Sequence, residues 1–349
     1  MNIIIGYIVI IAVIGLLFMN RKFNKRMYTF ICALGLFLIS SLRSIYFTTD
    51  VIGYVTAYER FKTIDFVHFL NNFTIKEKDP FFDLISKVFV ECGINYRWWL
   101  IIIAALFCFS IYFIVYKYSS NIFLSYIMLI SLGYFYFSLS GLRQTVALSI
   151  ILFSYKYLKN RNFKKFFLIV IFASLFHASA IIFLLIYPIS NMKVDFKSII
   201  IILFFLIIAY TCKYQIIKIL SFMNIGDKYS YYIDSGTTLT ISGFLIQFSI
   251  YLFCLKYKKD LIKLNKKNVI LYNLLFVGVI FQSFAAVIAE FFRISMYFSI
   301  FGIILLPKAI NIEKNKKLRI CLYYAIIVLL IIYILKRNDF VGFEFLWRE

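Results

Sequence analysis

Two polar side chains stand inside stretches that are otherwise apolar. They are Arg143 in Ser140-Gly-Leu-Arg-Gln-Thr-Val-Ala-Leu-Ser-Ile150, and His177 in Phe172-Ala-Ser-Leu-Phe-His-Ala-Ser-Ala-Ile181. A charge or an imidazole is costly in hydrocarbon, so such residues are functional candidates by default. Arg43 and Arg293, at the ends of other apolar runs, join Arg143 as guanidiniums that could converge on one cavity. Three arginines suit a diphosphate, because each stays charged and meets phosphate oxygens through a planar fork. Gln144, beside Arg143, suggests a polar pocket. His177, or a carboxylate such as Asp50, could orient or deprotonate a hydroxyl that attacks next to such a diphosphate.

Each residue also has a plainer reading. Arginines at the ends of apolar runs can snorkel to the interface. His177 can pack among Ala173, Ser174, Ala178 and Ala180, small residues that let helices approach closely. Asp50 and Tyr54 can be ordinary loop residues, and His68 a surface one. No metal site is expected, since His68 and His177 are the only histidines and no Cys-x-x-Cys occurs. Neither a phosphate loop nor a Gly-x-Ser-x-Gly elbow is present, and six cysteines give no disulfide framework.

The elements that must position these residues are transmembrane helices. Of 349 residues, 63% are hydrophobic, and runs such as Ile3 to Met19, Leu100 to Tyr116 and Ile320 to Leu335 reach or approach the roughly 17–25 apolar residues that cross a bilayer. Strands are set aside, because in lipid only helices or closed barrels satisfy the backbone. The chain reads as all-α: a single polytopic membrane domain over 1–349, with no internal repeat.

Charge gives the orientation. Of 38 Lys and Arg, 21 fall in five clusters, at Arg21–Arg26, Lys117, Lys156–Lys165, Lys256–Lys267 and Lys308–Arg319. Short basic loops mark the cytoplasmic side. The net charge of +22 is therefore mostly a topology signal, with attraction to anionic headgroups as a by-product. A nucleic-acid partner is not expected, because the charges flank apolar runs and form no single stripe. Both termini then lie outside, the first helix being retained because its positive charges follow it. About 11 transmembrane helices are expected, in a range of roughly 10–13, near 3–19, 27–42, 98–116, 121–139, 142–158, 165–188, 197–212, 240–255, 269–288, 291–306 and 319–335. Three spans between basic loops at 165 and 256 cannot all cross completely, so either Tyr214–Met223 crosses back or one segment is re-entrant. Residues 43–97 form a long external loop with seven basic and seven acidic residues. His177 lies twelve residues beyond Lys165, about 18 Å up its helix and in the outer half of the bilayer.

Several segments resemble the ordered motifs of EpsG-type proteins, Wzy-like polymerases of bacterial exopolysaccharide, capsule and O-antigen. They are Arg43-Ser-Ile-Tyr-Phe-Thr-Thr-Asp50-Val-Ile-Gly-Tyr54-Val-Thr-Ala-Tyr58, Asp79-Pro-Phe-Phe82, Gly141-Leu-Arg143-Gln144 with Ala147 and Ser149, Phe172-Ala to His177-Ala-Ser179-Ala, and Arg293-Ile-Ser-Met-Tyr297. The sequence departs from the pattern at Thr48-Thr49-Asp50, where Gly-Thr-Asp is commoner, and at Asp79-Pro, where Glu-Pro is usual. The resemblance implies a metal-independent glycosyltransferase of the bacterial cytoplasmic membrane that uses no cofactor. It would move a growing glycan from undecaprenyl diphosphate to a sugar hydroxyl of the next lipid-linked oligosaccharide unit. Its implied catalytic residues are Arg143, His177 and Asp50, with Arg43, Arg143, Gln144, Arg293 and Tyr54 on the substrate. A flippase and a chain-length regulator are the partners it implies, besides membrane lipids. A lipid-linked oligosaccharide flippase would use the same arginines without breaking a bond, and an O-antigen-ligase-like transferase would differ only in acceptor. A membrane acyltransferase would also need an intramembrane histidine, but would draw on a cytoplasmic thioester or a lipid donor.

Overall fold

The structure, a computed structural model, describes residues 2–18, 25–73, 79–220, 241–285, 288 and 290–348. Among them every regular element is helical, and one isolated antiparallel bridge joins Arg43 to Phe345. Helices Tyr96–Tyr118, Lys266–Ala285 and Lys316–Arg337 are long and apolar enough to cross a membrane. Two bent pairs raise the number to five if each pair is one crossing. The chain thus has the character of a membrane protein, and the further apolar helices Asn2–Phe18, Lys197–Thr211 and Ser242–Lys256 lie within two residues of the expected spans 3–19, 197–212 and 240–255. The expected crossing back at Tyr214–Met223 lies partly outside the described residues, helix Lys213–Leu220 being the described part.

Contacts gather the chain into two compact units, Met1–Leu184 with Glu313–Glu349, and Leu185–Ile312. The first begins with α1 (Asn2–Phe18) and α2 (Lys25–Ser41). The 43–97 segment, expected to be external, then carries three short α-helices, α3 (Thr49–Arg60), α4 (Phe66–Asn72) and α5 (Pro80–Glu91). Lys87 clamps them: its buried ammonium donates to the carbonyls of Phe61 and Ile64 and pairs with Glu91. The long apolar α6 (Tyr96–Tyr118) follows, its N-terminus capped by Asn95.

The expected span 121–139 is broken. It forms α7 (Ile122–Ser131) and α8 (Tyr134–Ser140), bent by 54°. Gly133 makes the break possible at φ 82°, a backbone that L side chains rarely adopt, and the Arg337 guanidinium occupies the space where a Cβ would sit. Next, α9 (Leu142–Lys159) packs between α6 and α10 (Phe163–Phe176), with Ala147, Leu148, Ser149 and Ile151 in the core. The hydroxyls of Thr145 and Ser149 are satisfied by carbonyls one turn back, Gly141 and Thr145, so this polar face is buried without loss.

The expected continuous helix 165–188 is also interrupted. It stops at Phe176, His177 takes an extended backbone with φ −156° and ψ 111°, and the 3-10 helix Ala178–Leu185 follows. The cause is a captured donor: the Ala178 N–H, which a continuing α-helix would send back to Ser174, donates instead to the Asp79 carboxylate at 2.9 Å.

In the second unit, helix Val269–Ala285 packs against Lys197–Thr211, Ser242–Lys256 and Phe291–Ser299. Contact with the last is close because Gly278 carries no Cβ; one would lie 2.8 Å from the Ser299 nitrogen. Helix Phe291–Ser299 bends by 44° into Gly302–Asn311, so the expected span 291–306 is likewise not straight.

Candidate active site

Three helix ends of the first unit, the N-termini of α5 and α9 and the C-terminus of α10, meet where the sequence places its unusual polar residues. The N-terminus of α5 contributes two carboxylates. Asp79 is its N-cap, in a left-handed conformation at φ 60°, ψ 49°, and Pro80 follows at the first helical position. That backbone is disfavoured before proline and uncommon for any residue with a side chain, so it persists only because neighbouring contacts hold it. Asp83 lies four residues on, in the first turn. Both carboxylates sit where the helix macrodipole favours negative charge.

Arg143, in the first turn of α9, reaches both. Its Nη2 donates to Asp83 Oδ1 at 2.9 Å and to Oδ2 at 3.2 Å, and its Nη1 lies 3.6 Å from Asp79 Oδ2. The guanidinium stands over the rings of Phe82 and Tyr54, 5.4 and 5.9 Å from their centroids. His177, released from the helix at the end of α10, directs Nδ1 to Asp79 Oδ2 at 3.0 Å. Asp79 therefore takes the His177 ring and the Ala178 N–H on its two oxygens, with Arg143 beside it. Its side chain is 1% exposed, whereas Arg143 is 23% and His177 16% exposed. The cluster is thus buried at Asp79 and open at Arg143, Asp83 and His177.

Burial alone would raise the Asp79 pKa. The His177 hydrogen bond and charge, the Ala178 N–H and Arg143 together outweigh it and hold the carboxyl below its ordinary value. With Asp79 ionised, a neutral His177 keeps its proton on Nδ1 and leaves the Nε2 lone pair free of that contact. This is the arrangement of an oriented base.

Of the sequence candidates, Arg143, His177 and Tyr54 come together. Gln144 is buried beside Arg143 in the first turn of α9. Asp50 is exposed in the first turn of α3, one turn before Tyr54, and makes none of the hydrogen bonds or ion pairs of the cluster. Arg43 is 2% exposed just past the end of α2. Its Nη1 donates to the Ser40 carbonyl and hydroxyl and its own carbonyl accepts from Arg97, while Nε and Nη2 are buried without a hydrogen-bond partner. Burial and the neighbouring Arg97 push its pKa down to about 10, so it stays charged at neutral pH. Arg293 belongs to the second unit, exposed near the start of helix Phe291–Ser299.

Sequence reasoning missed Asp83, and gave Asp79 only as part of a motif. The available signal was Asp79-Pro80-Phe-Phe-Asp83, two carboxylates one helical turn apart with proline at the first helical position.

The family model for the EpsG family matches residues 25–341, a stretch that contains Asp79, Asp83, Arg143 and His177. The chain belongs to the EpsG family. This is a family of Wzy-like polysaccharide polymerases. No curated protein and no solved structure matches the chain. In this EpsG-family chain, the segments that carried the resemblance supply the cluster itself: Asp79-Pro80, Gly141-Leu-Arg143-Gln144 and Phe176-His177.

Proposed function

We propose that this EpsG-family protein polymerises undecaprenyl-diphosphate-linked oligosaccharide units at the outer face of the bacterial cytoplasmic membrane. About eleven crossings with the 43–97 segment outside would set the cluster on that face. The observation that carries the reading is the Asp79–His177 hydrogen bond lying beside Arg143. In the reaction a sugar hydroxyl of the incoming unit attacks the anomeric carbon of the growing glycan. Its proton passes to His177 Nε2, and the anomeric carbon–oxygen bond breaks with its electron pair leaving on undecaprenyl diphosphate. Asp79 orients the imidazole and stabilises the imidazolium that forms. Arg143, its plane set by Asp83 and Asp79, neutralises charge developing on the leaving diphosphate. Arg43 supports the same role, because a buried guanidinium with two unfilled donors is completed by anionic oxygens. Tyr54 and Gln144 border the site, and Asp50 is the alternative base should His177 serve only for orientation.

Deletion of the protein followed by analysis of surface glycan tests the reading. Loss of polymer with single repeat units still displayed supports it. Loss of all surface units, with lipid-linked units trapped inside, would replace it by a flippase, and full-length polymer left unattached would replace it by a ligase.

A further inference from the structure

On the other end of the first unit, helices α2 and α6 enclose a groove of about 700 Å³. Phe30, Leu34 and Phe37 line it from α2, Ala105 and Phe109 from α6, and Arg26 stands at its mouth. Phe30 and Phe109 are each more than half exposed, so the walls face the surroundings of the helix pair. The mouth is cationic beyond Arg26. Lys25 donates to the Ser119 carbonyl at 2.9 Å, and Lys117 lies in the last turn of α6. From Arg26 to Phe37, twelve residues and eleven helical rises, the groove follows α2 for about 16 Å. That is about half of the roughly 30 Å hydrocarbon core, the depth of one leaflet.

We propose that this groove binds an anionic glycerophospholipid, with one acyl chain between α2 and α6 and its phosphate at Arg26. An apolar trough one leaflet deep with basic residues only at its mouth matches that molecule in length and in charge. The lipid-linked diphosphate of the polymerase reading does not fit the mouth, because Arg26 and Arg43 stand at opposite ends of α2. The lipid site is independent of the catalytic reading, and either can fail alone.

The test uses the full chain in proteoliposomes, with Phe109→Trp as a reporter in the groove. Its fluorescence is taken as the difference from wild type, which carries its own three tryptophans. Brominated phosphatidylglycerol and brominated phosphatidylcholine are titrated as quenchers. One basic residue near the surface is worth about 1 kcal/mol toward anionic lipid, so half-quenching should need about fivefold less phosphatidylglycerol. Adding Arg26→Gln should reduce that preference by about fivefold. A second reporter, Leu329→Trp, on the exposed face of helix Lys316–Arg337, should be quenched equally by both lipids. Equal quenching at the groove reporter would overturn the proposal, as would a preference unchanged by Arg26→Gln or matched by the Leu329→Trp reporter.

Discussion

Asp79→Asn separates an oriented base from a packing contact with almost no change in volume. Asp79 accepts on both oxygens, from Ala178 N–H at 2.9 Å and His177 Nδ1 at 3.0 Å, and has Arg143 Nη1 at 3.6 Å. An asparagine keeps one acceptor. If that oxygen stays on Ala178, its NH2 faces two donors, the His177 ring and the guanidinium. Turning the amide over only moves the conflict to Ala178. The native geometry therefore loses a charge-assisted hydrogen bond, about 1–3 kcal/mol, which the fold can bear. The chemical consequence is larger, because the imidazole relieves the clash by moving its proton from Nδ1 to Nε2. The lone pair then points at the amide and none is left for the acceptor. Losing one acid–base group typically costs about 10²–10⁴ in rate.

Two readouts check this. The chain has only two histidines, so 15N-labelled histidine resolves His177 beside His68, and the tautomer can be read directly in the variant. Single-turnover transfer from a lipid-linked donor, on the same preparation, gives the rate. Asp79→Glu restores the carboxylate and the commoner Glu-Pro pattern, and should keep most of the transfer. A folded Asp79→Asn protein whose His177 changes tautomer but transfers like wild type would refute the assignment of His177 as the base.

Arg143→Lys retains a charge that can snorkel but cannot span Asp79 and Asp83 with a rigid fork, so polymer should fall sharply at unchanged membrane abundance; equal polymer on an immunoblot-normalised glycan gel would contradict this. Gly133→Ala forces a side chain to φ 82°, costing about 1–2 kcal/mol, and should lower the midpoint of thermal unfolding in detergent. Asp79 has a folded pKa below its ordinary value, so its unfolded state binds protons more readily. Its contribution to stability is therefore complete above about pH 4 and fades as pH falls through the lowered folded value, and acid titration of Asp79→Asn should lack that component. In a cysteine-free background of intact, wall-stripped cells, cysteines at Lys159 and Lys316 should resist an impermeant thiol reagent while one at the exposed Lys62 labels; reaction at Lys159 would reverse the assigned orientation.

Membrane character and all-helical class were legible because hydropathy depends on composition over many residues, and a bilayer leaves few other choices. Arg143 and His177 were legible for a related reason, as polar groups in apolar runs. Helix breaks were not, because they depend on long-range partners. The bend at Gly133 is bound up with Arg337, and the end of α10 with Asp79, 98 residues before His177. Periodicity is blind to both. Asp83 escaped notice because an acidic residue in a near-neutral stretch looks like a solvated surface charge until the helix that carries it is docked.

The break at the end of α10 and the candidate chemistry have one origin. A helix running unbroken from 165 to 188 would satisfy its own backbone and leave Asp79 buried without the Ala178 donor. Conversely, α10 without Asp79 would leave the Ala178 N–H without the carboxylate that now accepts it. Each defect satisfies the other, and the contact that satisfies them also fixes the His177 ring and flanks Arg143. The left-handed Asp79 before Pro80 belongs to the same compromise: it is a disfavoured backbone held where a carboxylate must face two helix ends at once. Such a junction has to be folded before it can act. Loss of Asp79 should therefore disturb both the path of the chain at 176–178 and the chemistry assigned to His177, whereas loss of the imidazole alone should leave the Ala178 hydrogen bond, and with it the break, in place.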